Sequence, residues 1–280
     1  MIHRQTSRRK AADLAVKGVS AAAALLGILA LAWILFVVAR NGAAAINWAF
    51  FFHRSAQGVG NAIVGSLLLV GLAMLIGVPL GILAGVYLAE FGRHTRLGAL
   101  VRFSANVMMG VPSIIVGLFV WTLLVVPTGT FSGWAGAVAL GILMLPVVAR
   151  TTEDMLQLVP NSLRESALAL GASRSKVTFQ IVFRAARAGL LTGVLLALAR
   201  ISGETAPLLF TALNSPYWPW PLPGALNSPT SNLTVMIYNY AMSPFDDWVR
   251  LAWGASLLIT VSVLALNISS RLILRRSGHE

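Results

Sequence analysis

Five stretches of this chain carry no charged residue: Gly18–Ala39, Ser55–Ala89, Phe103–Ala149, Thr205–Phe245 and Leu251–Ser270. About 20 apolar residues wound as helix cross the hydrocarbon core of a bilayer. A water-soluble core has no use for so many runs of that length. Charged residues make up only 11% of the chain, against roughly 25% in a soluble domain. The chain therefore reads as an all-α, polytopic membrane protein, with one transmembrane domain over residues 19–270.

Hydropathy and punctuation predict six transmembrane helices. They are Val19–Val38, Asn61–Ala89, Phe103–Val126, Trp134–Ala149, Ala188–Leu209 and Leu251–Ser270. The basic head, residues 1–18, resembles a signal peptide, and Ala43-Ala44-Ala45 mimics a cleavage site. The apolar run behind it is longer than the 7–15 residues of a signal h-region, so an uncleaved first span is expected. Six spans return both ends to one side. If that side is the cytoplasm, 17 of the 21 Lys and Arg lie there, as the positive-inside rule requires. The tail 271–280 is then cytoplasmic. Trp48, Trp134, Trp218, Trp220 and Trp248 fall near the opposite interface, where amphipathic rings are enriched.

Several functions are disfavoured. The net charge of +12 suggests nucleic acid, but the basic residues cluster between apolar runs and form no separate domain. No nucleic-acid partner is expected. There is no cysteine, so disulfides and thiolate metal sites are impossible. The G-x-x-x-x-G-K-[ST] nucleotide loop is missing, as is H-E-x-x-H. No cofactor or metal bound by this chain is expected, and no catalytic residue.

The longest polar interval, residues 160–184, is more structured than a simple connector. Ser162 and Glu165 have capping-box spacing. Pro160 stops the preceding helix. Gly171 suits a left-handed helix end, and Ser173 suits the cap of a following helix. Two turns of helix are marginal alone in water. Leu163, Ala167 and Leu170 share a face that needs a protein surface. That surface belongs either to this chain's own helices or to another protein that grips the loop.

The motif itself is informative. Glu165-Ser166-Ala167, then Gly171, then Ile181 resembles the E-A-A-x3-G-x9-I-x-L-P loop of ABC importer permeases; Ser166 replaces an alanine and Phe183-Arg184 the terminal Leu-Pro. The run Ala199–Leu213, with Gly203-Glu204-Thr205-Ala206-Pro207-Leu208-Leu209-Phe210, is similar to the A-type permeases of phosphate importers, the PstA family. So are Val111–Phe119 and Ala241–Phe245. The resemblance spans roughly Asn61–Ser270. It implies the type I ABC importer permease fold, a bacterial or archaeal inner membrane and import of inorganic phosphate. It also implies that Glu165, Ser166, Ala167, Gly171 and Ile181 form an ATPase-coupling loop. The implied partners are a second homologous permease, two ATP-binding subunits that use ATP and Mg, and an extracytoplasmic phosphate-binding protein, in membrane lipid. The alternatives are a permease for another oxyanion or small solute, such as molybdate or sulfate, and an ion-coupled carrier or channel working alone.

Arg200 and Glu204 are the two charges inside a predicted span. Each costs about 2.5–3.5 kcal/mol at a helix centre on insertion scales. Four residues apart, they are expected to share a helix face and pair, with a break at Gly203 or Pro207 near both. Three roles are open: a positive site for a passing anion, a gate, or a structural pair. Beyond them Leu233, Met236, Ile237 and Tyr240 keep helical spacing, with Ser231 as a cap. The local pattern places that helix on the bilayer surface; plugging the path or receiving a binding protein are the other readings.

Overall fold

The computed structural model describes residues 2–54 and 57–277, with side chains over 13–54 and 57–272. The side chains of Arg4, Arg8, Arg9, Lys10, Arg275 and Arg276 lie outside that set. Every regular element among the described residues is helical. The passes are α1 (Ile2–Ala43), α3 (Gly60–Phe91), α6 (Gly133–Gln157), α8 (Arg174–Ile201) and α11 (Asp246–Ser277), and α4 (Arg96–Gly110) with α5 (Ser113–Thr128). Between them lie short helices: α2 (Trp48–Phe52), α7 (Asn161–Ala169), α9 (Ala206–Thr211) and α10 (Leu233–Ala241).

Packing of α3 on α6 organises the bundle. A Cβ added at Gly77 would lie 3.1 Å from Met144 Cβ, at Gly81 2.7 Å from Val148 Cβ, and at Gly85 2.5 Å from Thr152 Cβ. Successive contacts advance by four residues on both helices, so α3 and α6 run parallel. In lipid, apolar surface gains little by leaving the solvent; close approach through small residues supplies dispersion instead. On its other side α6 receives α8. Gly189 faces Met155 and Gly193 faces Thr151, so that pair is antiparallel. Leu69, Ala73, Leu140, Met144, Val148, Ala197 and Ile201 fill the shared core.

The third span is not the straight helix expected at Phe103–Val126. It bends by 104° between α4 and α5. The cause is local: Val111 precedes Pro112 and is extended (φ −70°, ψ 130°), as a residue before proline must be. Because α3 and α6 are parallel, α4 and α5 together make the one return crossing. At 1.5 Å per residue α5 is about 24 Å long, short of the roughly 30 Å hydrocarbon core.

Two other boundaries move. Span four was expected to end at Ala149, but α6 runs on to Gln157 through Arg150, Glu153 and Asp154. Span five was expected at Ala188–Leu209. Its helix instead begins at Arg174 and stops at Ile201; Ser202–Thr205 is non-helical and α9 follows. The break near Gly203 is present as expected.

The helix over Leu233–Ala241 does not lie on a surface. Leu233, Val235, Met236 and Tyr240 are buried, and Val235 reaches the central core. Its cap is Asn232, whose Oδ1 accepts from Val235 N at 3.0 Å, and not Ser231. Ser231 is buried, accepts from Asn61 Nδ2 at 3.0 Å and donates to Asn214 Oδ1 at 3.3 Å. The five tryptophans expected at one interface all sit at starts of elements, or in the α9–α10 loop, at the end of the bundle away from α7.

Replacing Gly85 by valine forces overpacking between α3 and α6, at about 1–3 kcal/mol. We expect Gly85→Val to lower the melting temperature of the detergent-solubilised protein. Gly71→Ala, which adds a methyl group in a helix interior where nothing lies within 4 Å, should not lower it. A thermal-shift assay compares the two.

Candidate functional site: the α7 loop and the polar ends of the bundle

α7 begins directly after Pro160, which occupies the cap position with extended ψ (142°). The capping box expected between Ser162 and Glu165 does not form: Ser162 already lies inside the helix, so its hydroxyl is not at the cap. The other end matches expectation. Gly171 has φ +83°. Its N–H donates to Leu168 O at 2.9 Å, and Ala172 N donates to Ala167 O at 3.1 Å. Those two bonds make a Schellman motif, with the glycine at its left-handed position. Ser173 Oγ then accepts from Lys176 N at 3.5 Å and caps the start of α8.

The predicted loop residues divide between two sides. Glu165, Ser166 and Gly171 are exposed. Ala167 is buried against Val86, Ala89, Leu156 and Val182, and Ile181 packs on the same cluster. Leu163, Ala167 and Leu170 therefore do not form one uncovered face. Ala167 is covered by the chain's own helices, whereas Leu170 is 89% exposed. α7 is thus anchored on one side and open on the other.

Charges beside α7 meet in ways that spacing did not suggest. Glu153 is 1% exposed. It accepts from Arg102 Nε at 2.6 Å, Arg150 Nη1 at 2.7 Å and Gln157 Nε2 at 3.0 Å. Arg102 also donates to Leu88 O at 2.8 Å, so one guanidinium joins α4, α6 and the end of α3. Arg164, on α7, pairs with Glu90 at 2.9 Å. From spacing alone Arg102, Arg150 and Arg164 read only as loop charges. The available signal was the acids: Glu90 and Glu153 each stand at the edge of an apolar run, and only nine acidic residues occur in the chain.

Arg200 and Glu204 are not paired. The helix ends at Ile201, which takes Glu204 off the face that carries Arg200. Among the described residues no ion pair joins them. Arg200 is exposed and Glu204 partly so. The Glu204 carbonyl accepts from Thr234 Oγ1 at 3.0 Å, tying the break in span five to α10. Beyond it Pro207 lies against Gly117, whose added Cβ would come within 2.6 Å of Pro207 Cα. Leu213 closes α9 with φ 55°, and its carbonyl accepts from Asn232 Nδ2 at 2.7 Å. The non-helical turn, α9 and α10 form one cross-braced unit at the end opposite α7.

Five straight helical passes and one bent pair, a helix anchored on one side at their end, and a broken span whose two charges do not pair with each other describe a polytopic membrane protein. The chain belongs to the family of binding-protein-dependent transport system inner membrane components, whose model matches residues 77–278. All seven predicted site residues fall inside that range. The chain is 49% identical to the phosphate transport system permease protein PstA of Haemophilus influenzae over 269 residues, covering 94% of each chain. It is 47% identical to PstA of Yersinia pestis, covering 93% of this chain and 89% of that one. It is 41% identical to the probable PstA of Methanocaldococcus jannaschii, covering 79% and 77%. Among solved structures, an inward-facing MetNI methionine ABC transporter superposes with a TM-score of 0.60 at 20% identity. That match covers 82% of this chain and 96% of that one, and it supports the importer-permease fold alone.

Gly171→Ala puts a Cβ into left-handed backbone, at about 1–2 kcal/mol. We expect the Schellman motif to open and the loop to fray. Limited trypsin digestion should then cut faster at Arg174 and Lys176, with the passes still intact.

Proposed function

We propose that this chain is the transmembrane permease subunit of an ATP-driven importer that moves inorganic phosphate across the cytoplasmic membrane. The observation that carries this reading is 47–49% identity, over nearly the whole chain, to proteins named phosphate transport system permease PstA. The chain has no nucleotide-binding loop of its own, so ATP and Mg are used by partner subunits. Those partners are two ATP-binding subunits, a second related permease that completes the path, and an extracytoplasmic phosphate-binding protein.

The geometry supports a division of labour. The exposed side of α7, with Glu165, Ser166, Gly171 and Leu170, is the surface offered to an ATP-binding subunit. The buried Ala167, with Ile181 of α8 packed on the same cluster, carries movement of that surface into the bundle. Placing α7 in the cytoplasm agrees with the lysine and arginine bias and puts both chain ends there. The α9–α10 unit then faces outward.

Arg200 stands at the end of the fifth pass, exposed and free of its expected partner. A guanidinium there offers charge-assisted hydrogen bonds to a phosphate oxygen. Glu204 repels an anion, and its carbonyl is held by Thr234, so it belongs to the gate and not to a binding site. The absence of an ion pair favours a path or gate role over a structural pair.

Proteoliposomes holding the assembled importer, loaded with ATP and Mg and supplied with the binding protein, test the reading. Labelled phosphate uptake is expected to require ATP and to resist competition by sulfate and molybdate. Competition by either would reassign the cargo; uptake without ATP or an ATPase would favour a lone carrier. Arg200→Ala should assemble normally and reduce uptake about tenfold, the loss of one charge-assisted hydrogen bond. Unchanged uptake would remove Arg200 from the path.

A further inference from the structure

Glu90 occupies an electrostatically costly place. It lies in the last turn of α3, within the π-helical segment Tyr87–Phe91, where the helix already presents the negative end of its dipole. Its side chain is only 12% exposed. A carboxylate in that position needs a cation close by, and Arg164 supplies it. Arg164 Nη2 donates to Glu90 Oε1 at 2.9 Å and Nε to the same oxygen at 3.3 Å.

The same guanidinium has other acceptors. Nη2 also donates to Leu156 O at 2.7 Å. Nη1 donates to Val159 O and, at 3.3 Å, to Asn161 Oδ1. Leu156 is in the last turn of α6 and Val159 just beyond it, where helix carbonyls lack intrahelical donors. One side chain therefore ties together the ends of two parallel passes. It is carried on α7, beside the exposed Glu165.

We propose that Arg164 is the positioning residue through which movement of α7 is transmitted to α3, with Glu90 as its acceptor there. This rests on the reading of the chain as an ATP-driven permease. Ala167 also packs α7 on the bundle through apolar contact, and apolar packing has no preferred direction in which to pull. The planar guanidinium has one, because its donors form a rigid fork. If α7 moved alone it would leave Glu90 half-buried without its cation, a strongly unfavourable arrangement. Movement of α7 and α3 together avoids it.

The test uses the assembled importer in proteoliposomes, with ATP hydrolysis and phosphate uptake measured in the same sample. For Arg164→Ala and Glu90→Gln we expect hydrolysis within about twofold of the unmodified complex and uptake per ATP lower by about tenfold. Arg164→Lys, which keeps the charge but not the fork, should not restore the ratio. The double variant Arg164→Ala with Glu90→Gln should lose no more than either single variant, because the two act through one contact. A purely structural role would lower hydrolysis and uptake together with the amount of complex. An unchanged ratio in assembled Arg164→Ala therefore overturns the inference. If that variant does not assemble, Glu90→Gln decides, since it is isosteric and lies outside α7; an unchanged ratio there overturns it equally. An unmodified complex that carries no phosphate overturns the functional reading instead, and the ratio is then read with whichever of sulfate or molybdate it does carry.

Discussion

Backbone contact between α3 and α6 is the constraint on which the rest depends. Gly77, Gly81 and Gly85 leave space that Met144, Val148 and Thr152 occupy. In a bilayer, apolar side chains gain nothing by leaving lipid, so helices adhere where their surfaces approach most closely. The glycine stripe fixes register as well as distance. It sets the last turns of two parallel passes side by side. That brings Glu90, the carbonyls of Leu156 and Val159, and Glu153 into one small region, where Arg164 and Arg102 reach them.

The two ends of the bundle are built differently. At the α7 end, directional ionic contacts join α3, α4, α6 and α7, and the open side of α7 faces away. At the other end the buried hydrogen bonds join neutral groups, and the arginines there, Arg54 over the Tyr217 ring and Arg250 on the Ala44 carbonyl, lie outside them. Asn61, Ser231, Asn214 and Asn232 bond one another or nearby carbonyls, and α10 fills the bundle beneath them. A charged end suits transmission of a displacement, because breaking a half-buried ion pair resists relative motion. A neutral, amide-lined interior is a suitable place for packing to rearrange without stranding a charge. At that end Arg200 stands just before the helix break and Glu204 within it, off the helix face that carries Arg200.

Much of this was legible in the residues. Long uncharged intervals locate the passes. Pro160, Gly171 and Ser173 punctuate the α7 loop, and Gly203 lies at the break in span five. The misses have local causes. Span three reads as straight because its apolar content is continuous, yet Pro112 holds Val111 extended and bends the span. Span four was ended at Arg150, since a charge reads as a loop, yet pairing with Glu153 lets the helix continue to Gln157. Ser162 had the spacing of a cap, but Pro160 had already taken that position. The residues from Leu233 to Tyr240 were apolar enough for a membrane surface and went instead into the core.

The amino-acid sequence alone determined that the chain crosses a membrane repeatedly, where its polar loop falls and how that loop is punctuated. Those properties follow from hydropathy and from backbone preferences of glycine and proline, which act over a few residues. The partner of each charge was decided only by tertiary structure. Arg164 and Glu90 are 74 residues apart, and Arg102 and Glu153 are 51 apart; no periodicity links them. Arg200 and Glu204, only four apart, were the pair that spacing favoured, and the helix end at Ile201 separates them. Which charges meet depends on how helices stack, and here that depends on where small residues let two backbones touch.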